Sequence, residues 1–416
     1  MTGDGRTLQS TPRRLLLVTA TWPPHRVAEA DHAFQEAMHL ARDGVEVHVL
    51  TLDREGLLRP NGIHVHVVQG WGWRHFPEVW RLLGRVRPQG TLLIFMASFY
   101  KYSKMVVVLS TIAKLRLRGS RFATQLPAAV KRFPENKRSR YGAPVDKVRN
   151  ALFVHLGQFA WGTLLVHSDS LLVMSVPARR QMGELHAPLE RKTIIVPSPP
   201  LMNVLPDTLE NREIGRNRLG LQRDDFVFAF FGRLYPKKGI ETLLRAFRRA
   251  SEQDSRLRLA MVGGFSATDL HWQTEGYDET LLKLEADLNL GSLVVWTGEY
   301  DSESTDASYF LRAADVVVLP PDPGIHVHNS SLAAAAAHEL PTIVTEPPDG
   351  FEAALVPGEN VHAFRPYDED ALVEALLRLA RDADYRRRLA AGSGELALRW
   401  FTWDGCVAAI RNALEV

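Results

Sequence analysis

The chain has 416 residues, of which 45% are apolar and 24% are charged, with 29 glycines and 24 prolines. This composition excludes a disordered, collagen-like or fibrous protein, and the length predicts two or three domains. A formal net charge of +2 does not require nucleic acid or an anionic surface as a partner, so we predict no nucleic-acid partner. The single cysteine, Cys406, excludes a disulfide framework within the chain and fits a reducing compartment.

Strand and helix patterns alternate through the first half of the chain. A helical spacing of apolar residues predicts a helix over 31–42, and a second helix is expected from Ala178. Apolar runs of strand length occupy 15–21, 45–52, 63–68, 91–97, 171–175 and 193–196. Strands separated by single helices need crossover connections, which predict a parallel sheet covered on both faces.

A second alternating series begins at Phe226. Its predicted helices cover 239–250 and 331–338, and its predicted strands cover 226–231, 257–262, 293–296, 316–319 and 342–345. The charged stretch 201–225 lacks a long apolar run and is interpreted as a connection between domains. The fold class is therefore α/β, with two doubly wound halves: residues 1–200 and residues 226–400.

The segment from Phe231 to Glu241 carries the strongest functional signal. It joins the carboxyl end of a buried strand to the start of a helix, which is where open α/β sheets bind ligands. Two of the ten lysines, Lys237 and Lys238, lie there, with Arg233 close by. Cations at a helix start are disfavoured unless an anion shares the site. The residues alone leave two interpretations open: a diphosphate site, or a solvated turn.

This segment also resembles the G-R-x-x-x-x-K-G signature of the family-four glycosyltransferases, which have the GT-B fold. Further similar motifs extend over nearly the whole chain; they are Ile195-Val196-Pro197-Ser198, Met261-Val262-Gly263-Gly264, residues 316–349, and Phe401-Thr402-Trp403. The resemblance implies two Rossmann-like domains facing across a cleft, with residues 401–416 forming a helix that returns to the first domain. It also implies sugar transfer from a nucleotide-sugar donor.

Site residues follow from the same resemblance. Arg233 and Lys238 would bind the donor diphosphate and stabilise the departing charge, beside Gly232. Gly263 and Gly264 would allow backbone approach to the nucleotide, and Glu299 and Tyr300 would read the base. The implied reaction is retaining and independent of metal, with the leaving phosphate accepting the acceptor's proton. No cofactor is expected besides the nucleotide-sugar.

One departure from the family affects its paired glutamates. The motif E-G-F-G-L-x-x-x-E-A maps onto residues 326–335, where His326 and Ala334 replace both glutamates. A branch of the family also lacks them, and this chain is similar to it. A phosphate contact would then use the backbone amides of Asn329, Ser330 and Ser331 at a helix start. An ordinary helix N-cap explains the same residues.

Two further departures lie in the first half. His25 and Arg26 replace the paired glycines that follow the family's first strand, and they either contact an anionic acceptor or lie in a solvated loop. Gln125 stands where the family often has a histidine near the transferred sugar; an amide can donate a hydrogen bond there but cannot take a proton.

We predict no metal site. Asp368-Glu369-Asp370 precedes a helical pattern, where acidic residues cap a helix start. We expect neither the pair His64 and His66 nor the pair His326 and His328 to have a third partner of ligand type nearby, which argues against zinc.

The sequence predicts a cytoplasmic protein. The apolar stretch 151–166 is too short to span a bilayer, and the stretch after Arg13-Arg14 is too short for a signal peptide. Basic residues over 131–149, with the amphipathic stretch 105–118, either contact anionic lipid or an anionic acceptor, or form a solvated basic loop. Two alternatives to a glycosyltransferase remain: a non-catalytic GT-B homologue acting as a binding or partner subunit, and a sugar-nucleotide epimerase.

Overall fold

The computed structural model describes residues 13–25, 27–127, 162–265, 276–300 and 304–416. The chain divides into two compact units: unit 1 comprises Met1–Val196 with Val407–Val416, and unit 2 comprises Pro197–Cys406. Arg26 and the basic stretch 131–149 lie outside the described residues.

Unit 1 is built on a parallel sheet of seven strands, in the order β3-β2-β1-β4-β5-β6-β7. The strands are β1 (Arg14–Val18), β2 (Glu46–Leu52), β3 (Ile63–Val68), β4 (Gly90–Ile94), β5 (Arg121–Leu126), β6 (Ser170–Val173) and β7 (Thr193–Ile195). The central strands are apolar on both faces because helices cover both sides of a parallel sheet.

Seven helices connect these strands among the described residues of unit 1. They are α1 (Ala28–Arg42), α2 (Phe76–Val86), α3 (Lys104–Val107), α4 (Leu109–Arg116), α5 (Gly162–His167), α6 (Val176–Leu185) and α7 (Ala187–Arg191). Helix α1 begins three residues earlier than its apolar spacing predicts, and it buries Ala33, Ala37 and Leu40 against the sheet.

Unit 2 has a parallel sheet of six strands, in the order β10-β9-β8-β11-β12-β13. The strands are β8 (Phe226–Phe231), β9 (Leu257–Val262), β10 (Val294–Gly298), β11 (Val316–Leu319), β12 (Thr342–Thr345) and β13 (His362–Phe364). The sequence patterns predict the first five of these strands and miss the three-residue β13.

The helices of unit 2 include one inside the stretch interpreted as a connection. They are α8 (Leu209–Arg218), α9 (Ile240–Ser251), α10 (Tyr277–Asp287), α11 (Asp306–Ala313), α12 (Ser330–Ala337), α13 (Glu369–Arg381) and α14 (Ala383–Trp400). Arg212 on α8 pairs with Asp315 at 2.5 Å, and Gly215 lies directly against the carbonyl of Tyr309. Residues 201–225 are therefore an integral part of unit 2 instead of a separate linker.

The last helix, α15 (Trp403–Leu414), starts in unit 2, and its later turns belong to unit 1. Within unit 1, Leu414 and Val416 lie against Gly90 at the start of β4, where an added Cβ would approach them to 2.8 Å and 2.9 Å. Glu415 pairs with Arg121 at the start of β5.

In both sheets the strand order reverses beside the first strand of the unit: between β1 and β4 in unit 1, and between β8 and β11 in unit 2. Ligands of doubly wound folds bind at the carboxyl ends of the strands at this reversal.

Among the described residues, none of the helices combines the length and apolar character needed to cross a membrane.

Candidate functional site

The loops that follow β8 and β11 enclose a pocket at the strand-order reversal of unit 2. Its volume is about 420 Å³, and it is lined by Tyr235, Pro236, Lys237, Lys238, Pro321, Pro323, Gly324, His326, His328 and Asn329. These two loops come from neighbouring strands, so the sheet itself brings them together. The pocket therefore occupies the position at which this class of sheet binds ligands.

The lining of this pocket is cationic. Lys237 and Lys238 contribute two positive charges, and no carboxylate is among the described residues that line it. The ammonium of Lys238 lies 4.8 Å from the centre of the Tyr235 ring, a cation–π contact that holds the side chain at the wall. Two cations that line the same concave surface favour a polyanion such as a diphosphate.

Backbone contacts fix the two loops relative to each other. The Asp322 N–H donates to the carbonyl of Lys237 at 3.0 Å, which links the loop after β11 to the loop after β8. Lys237 has a φ of 74° and Gly239 a φ of 68°, so the chain turns sharply before α9 begins. This turn presents both lysines to the same cavity.

Arg233 lies two residues beyond the end of β8 and is half-buried. It is not among the residues that line the cavity. The structure therefore brings Lys238 to the pocket together with His326 and Asn329, while Arg233 stands at the base of the same loop.

Glycines at the ends of β8 and β9 are explained by packing within the protein. An added Cβ on Gly232 would lie 2.7 Å from the hydroxyl of Ser331, and one on Gly263 would lie 2.1 Å from the carbonyl of Gly232. An added Cβ on Gly264 would lie 2.0 Å from Cγ of Glu299. The backbones of these loops approach one another so closely that side chains do not fit, which is a reason for glycine independent of any nucleotide.

The start of α12 is an ordinary helix cap. The side-chain oxygen of Asn329 accepts from the N–H groups of Ser331 and Leu332 at 3.0 Å and 3.1 Å. The N–H of Asn329 donates to the carbonyl of His326 at 3.0 Å. The N–H groups of Asn329 and Ser331 are thus both engaged within the protein in this structure, and their contact with a phosphate stays a prediction. Ser330 is the first residue of the helix.

Tyr300 and Glu299, the predicted base-reading residues, follow β10. The ring of Tyr300 stacks on Phe231 at 5.6 Å between centroids and 21° between planes. Glu299 is exposed, and its stem lies beside Gly264. Both residues lie at the carboxyl edge of the sheet, but neither is in the lining of the pocket.

Glu352 is a residue of this site that the sequence patterns miss. Its carboxylate is buried behind the pocket: Oε2 accepts from the Val327 N–H at 3.0 Å and lies 3.5 Å from Nδ1 of His326. Its other oxygen, Oε1, has no hydrogen-bond partner among the described residues. A carboxylate thus stands beside position 326 after all, supplied by the chain beyond β12. No local spacing indicates this, since the contact depends on the course of a loop.

In unit 1, Gln125 belongs to a buried polar cluster with two residues of α1. Its Nε2 donates to Oε1 of Glu36 at 2.6 Å and lies 2.9 Å from Nε2 of His32. Gln125 is 1% exposed and Glu36 is 0% exposed. The enclosed amide orients His32 and Glu36 in this structure. A contact between Gln125 and the transferred sugar stays a prediction. The four-residue spacing of these two polar residues on the buried face of α1 is the signal that could have found them.

The His32–Glu36 pair is electrostatically coupled. Their closest atoms are 2.8 Å apart. Burial alone would lower the pKa of His32, but the Glu36 carboxylate outweighs burial, and the pKa is raised above its usual value of 6.5. His25, predicted to meet the acceptor, lies in the turn after β1, where its N–H donates to the carbonyl of Trp22 at 3.1 Å.

The structure tests two of the arguments against a metal site: the capping role of Asp368, and the absence of a third ligand beside His64. Asp368 accepts from the Ala371 N–H at 3.0 Å and caps α13, which confirms the capping interpretation. The argument that His64 has no third partner is wrong, because Glu46 and His48 of the neighbouring strand lie beside it.

The fold defines the class of protein. The chain is similar in structure to a glycosyltransferase from Rickettsia africae, with a TM-score of 0.70 and 11% identity over 98% of this chain and 100% of that one. It is also similar to the Anabaena protein HepE in complex with UDP and glucose, with a TM-score of 0.67 and 14% identity over 97% and 99% of the two chains. The chain has the GT-B fold.

A comparison with protein families concerns mainly the sequence of unit 2. Residues 211–393 match the family model described as "Glycosyl transferases group 1". The chain is 29% identical over 263 residues to a D-inositol 3-phosphate glycosyltransferase of Frankia alni, which covers 61% of each chain. The match thus spans about three fifths of the length of that curated relative.

Proposed function

We propose that this protein is a glycosyltransferase that takes its sugar from a nucleoside-diphosphate sugar, with the diphosphate in the pocket of unit 2. The proposal rests mainly on the position of Lys238: it lines a cationic pocket at the strand-order reversal of unit 2, and residues 211–393 of the chain match the model of the group 1 glycosyltransferases. When the sugar leaves, the nucleoside diphosphate gains negative charge, which positioned cations stabilise. The complex of HepE with UDP and glucose supports this choice of donor.

We propose the following division of roles among the residues at the carboxyl edge of the unit 2 sheet. Lys238 and Arg233 neutralise the diphosphate, and Glu299 and Tyr300 at the end of β10 read the base. Asn329 and Ser330 contribute their remaining polar groups at the start of α12. His326 meets the transferred sugar, with Glu352 holding its Nδ1 side.

The finer features of the reaction are also proposals. We infer transfer with retention of configuration and without a metal, since cations of the protein can replace a metal at the diphosphate. NMR of the product's anomeric proton tests retention, and activity in the presence of EDTA tests independence of metal. Inversion, or loss of activity in EDTA that magnesium restores, would contradict these proposals.

We propose a phosphorylated polyol as the acceptor, bound by the loop that follows β1. The relative from Frankia alni is named for D-inositol 3-phosphate, and the loop carries His25 and Arg26 in this chain. Transfer to inositol phosphate but not to inositol would support the proposal; equal use of both would contradict it.

Membrane contact is a separate proposal. Lys101, Tyr102 and Lys104 are exposed at one end of the α3–α4 segment, and Leu115 and Arg116 at the other. We infer a peripheral interaction with anionic lipid, tested by flotation with phosphatidylglycerol vesicles at low and high salt. Absence of flotation at low salt would contradict it.

Hydrolysis of a panel of UDP- and GDP-sugars, with and without inositol phosphate, tests the main proposal. We expect turnover of at least one donor, and we expect Lys238→Ala to lower kcat/KM about 10²- to 10³-fold, as removal of one charge-stabilising donor does in other enzymes. Lys283→Ala is the matched control, because Lys283 is exposed on α10 far along the chain from the pocket.

The same panel separates the alternatives. Arg233→Ala should produce a loss of similar size if the guanidinium reaches the diphosphate. UDP binding without turnover of any donor would favour a non-catalytic GT-B homologue. Full activity in Lys238→Ala would overturn the proposed site.

A further inference from the structure

A cluster of metal-ligating side chains lies at the edge of the unit 1 sheet. Strands β2 and β3 pair in parallel, with His48 opposite His64 and Leu50 opposite His66. Because side chains two residues apart on a strand share a face, Glu46 and His48 of β2 lie on the same face as His64 and His66 of β3. Three imidazoles and one carboxylate thus converge on one surface.

The distances within the cluster suit a metal ion. Glu46, His48 and His64 each present one ligand atom, and these atoms all lie within 4.8 Å of one another. The Nε2 of His48 is 3.0 Å from Oε1 of Glu46. Two ligands of a tetrahedral zinc ion, each about 2.0–2.1 Å from the metal, are about 3.3 Å apart, so this pair needs to separate only slightly.

The surrounding contacts orient these groups as outer-shell partners orient metal ligands. The Nδ1 of His48 is 2.9 Å from Nε2 of His66, so His66 can accept the Nδ1 proton and leave Nε2 of His48 with its lone pair toward Glu46 and His64. The second oxygen of Glu46 is held by Arg14 at 3.1 Å. Arg14 in turn donates to the carbonyl of Val86 at 3.1 Å, which fixes the carboxylate in place.

The cluster is separate from the substrate edge of the sheet. Glu46 is the first residue of β2, and His48 lies four residues, or about 13 Å, before the carboxyl end of that strand at Leu52. Ligands of such sheets bind at the carboxyl ends. A metal here would therefore join the terminal strand β3 to β2 and stabilise unit 1 without entering the reaction.

We propose that Glu46, His48 and His64 bind a divalent transition-metal ion, with His66 positioning His48. Imidazole with one carboxylate favours zinc, or cobalt and nickel in its place, over magnesium or calcium. His64 is exposed and leaves the site open from solvent. The site depends on unit 1 alone, so it stands whether or not the proposed transferase activity is correct.

The test uses the full chain without an affinity tag, treated with chelator and then dialysed. Cobalt, titrated with the visible absorption recorded, should bind in one molar equivalent and be displaced by zinc, and zinc should raise the melting temperature. His64→Ala should abolish both effects, and Glu46→Gln should weaken binding. His66→Ala should lower affinity about 10- to 100-fold, as loss of an outer-shell partner does.

His186→Ala is the matched control, because it removes an imidazole of unit 1 that lies outside the cluster. Both His64→Ala and the control should fold, since His64 is exposed; far-ultraviolet circular dichroism checks this. Equal cobalt binding by the wild type and His64→Ala would overturn the proposal. So would the absence of any cobalt uptake by the wild type, which would leave a hydrogen-bonded histidine cluster.

Discussion

The imidazole of His326 and the carboxylate of Glu352 meet at the wall of the unit 2 pocket. The carboxylate is almost fully buried. Its Oε2 accepts a hydrogen bond from the Val327 N–H and also lies beside Nδ1 of His326. A buried carboxylate is retained only where it has compensating partners, because its desolvation is costly. At this position it supplies the negative charge that the sequence lacks at residue 326, where the similar family has glutamate.

Glu352→Gln tests this role at the scale of one residue. The amide keeps the size of the side chain and an acceptor for Val327, but it removes the charge beside His326. We expect donor turnover to fall about 10- to 150-fold, which corresponds to about 1.5–3 kcal/mol for a charged hydrogen bond. The loss should appear mainly in kcat. Glu346→Gln, the same change at an exposed residue after β12, is the control; equal activity of both variants would remove Glu352 from the site.

The buried pair His32–Glu36 predicts a dependence of stability on pH. Because Glu36 raises the pKa of His32 above 6.5 in the folded protein, with Glu29 adding to the effect, the folded state holds a proton that the unfolded chain releases. This stabilisation is fully present below about pH 6.5 and is lost as pH rises through the folded-state pKa. Glu36→Gln should remove it, because burial alone lowers the pKa of the histidine.

The measurement is the free energy of unfolding in urea, from about pH 6 to about pH 9, for the wild type and Glu36→Gln. The difference between them should be largest at the acid end. Glu36→Ala should cost about 3–5 kcal/mol, as breaking a buried pair does. Glu78→Gln is the control, since its partner His75 is 3.1 Å away but Glu78 is half-exposed, and it should change stability by less than about 1 kcal/mol. A constant difference across the pH range would contradict the prediction.

At the scale of elements, the turn into α9 positions the pocket. An added Cβ on Gly239 would lie 1.8 Å from the carbonyl of Pro320, which opens the loop after β11. Gly220 has nearly the same φ, 67° against 68°, but an added Cβ there has no atom within 4 Å. Substitution of Gly220 therefore measures the free-energy cost of a left-handed backbone alone. Substitution of Gly239 adds the cost of a steric clash between the two loops.

We expect Gly220→Ala to cost about 1–2 kcal/mol of stability for the left-handed backbone alone. Gly239→Ala should cost about 1–3 kcal/mol more, because the loops must move apart. It should also weaken UDP binding, whereas Gly220→Ala should not. Urea unfolding and titration calorimetry with UDP measure both effects; equal stability and equal UDP affinity of the two variants would contradict the argument.

The elements also show which parts of the molecule the sequence can predict. Strands β8, β9, β11 and β12 are predicted to the residue, because a buried parallel strand needs a continuous apolar run and turn residues close it. The positions of the two loops of the pocket can also be predicted, because each loop begins where β8 or β11 ends. The three-residue β13 carries too short a pattern to be recognised.

Contacts between distant segments are not predicted in the same way. His48 meets His64 through the register of β2 on β3, and Glu352 meets His326 through the course of a loop. Neither pairing leaves a local spacing in the sequence. The sequence does not predict helix α8 for a related reason. Its residues are mostly charged and exposed, and it packs on unit 2 through Gly215, which lies against Tyr309, and through Arg212, which pairs with Asp315.

At the scale of the whole molecule, the end of the chain completes unit 1. Ile410 and Leu414 are fully buried, Val407 and Val416 are 5% exposed, and the segment Val407–Val416 belongs to unit 1. Burying four such side chains contributes about 1.5–3 kcal/mol each, or about 6–12 kcal/mol in total. The free energy of unfolding of a domain is about 5–15 kcal/mol, so the stability of unit 1 depends heavily on these ten residues.

Deletion of Val407–Val416 should therefore lower the melting temperature of unit 1 or unfold it, while unit 2 keeps its own transition. Leu414→Ala is the milder variant and should cost about 2–5 kcal/mol, because it leaves a cavity beside Gly90. Calorimetry with UDP distinguishes the units: the nucleotide should raise only the transition of unit 2, which holds the pocket, in both the wild type and Leu414→Ala. Arg399→Ala, which removes a side chain of α14 in unit 2, is the control and should leave the unit 1 transition unchanged. A truncated chain with both transitions at their wild-type temperatures would show that unit 1 is complete without the end of the chain.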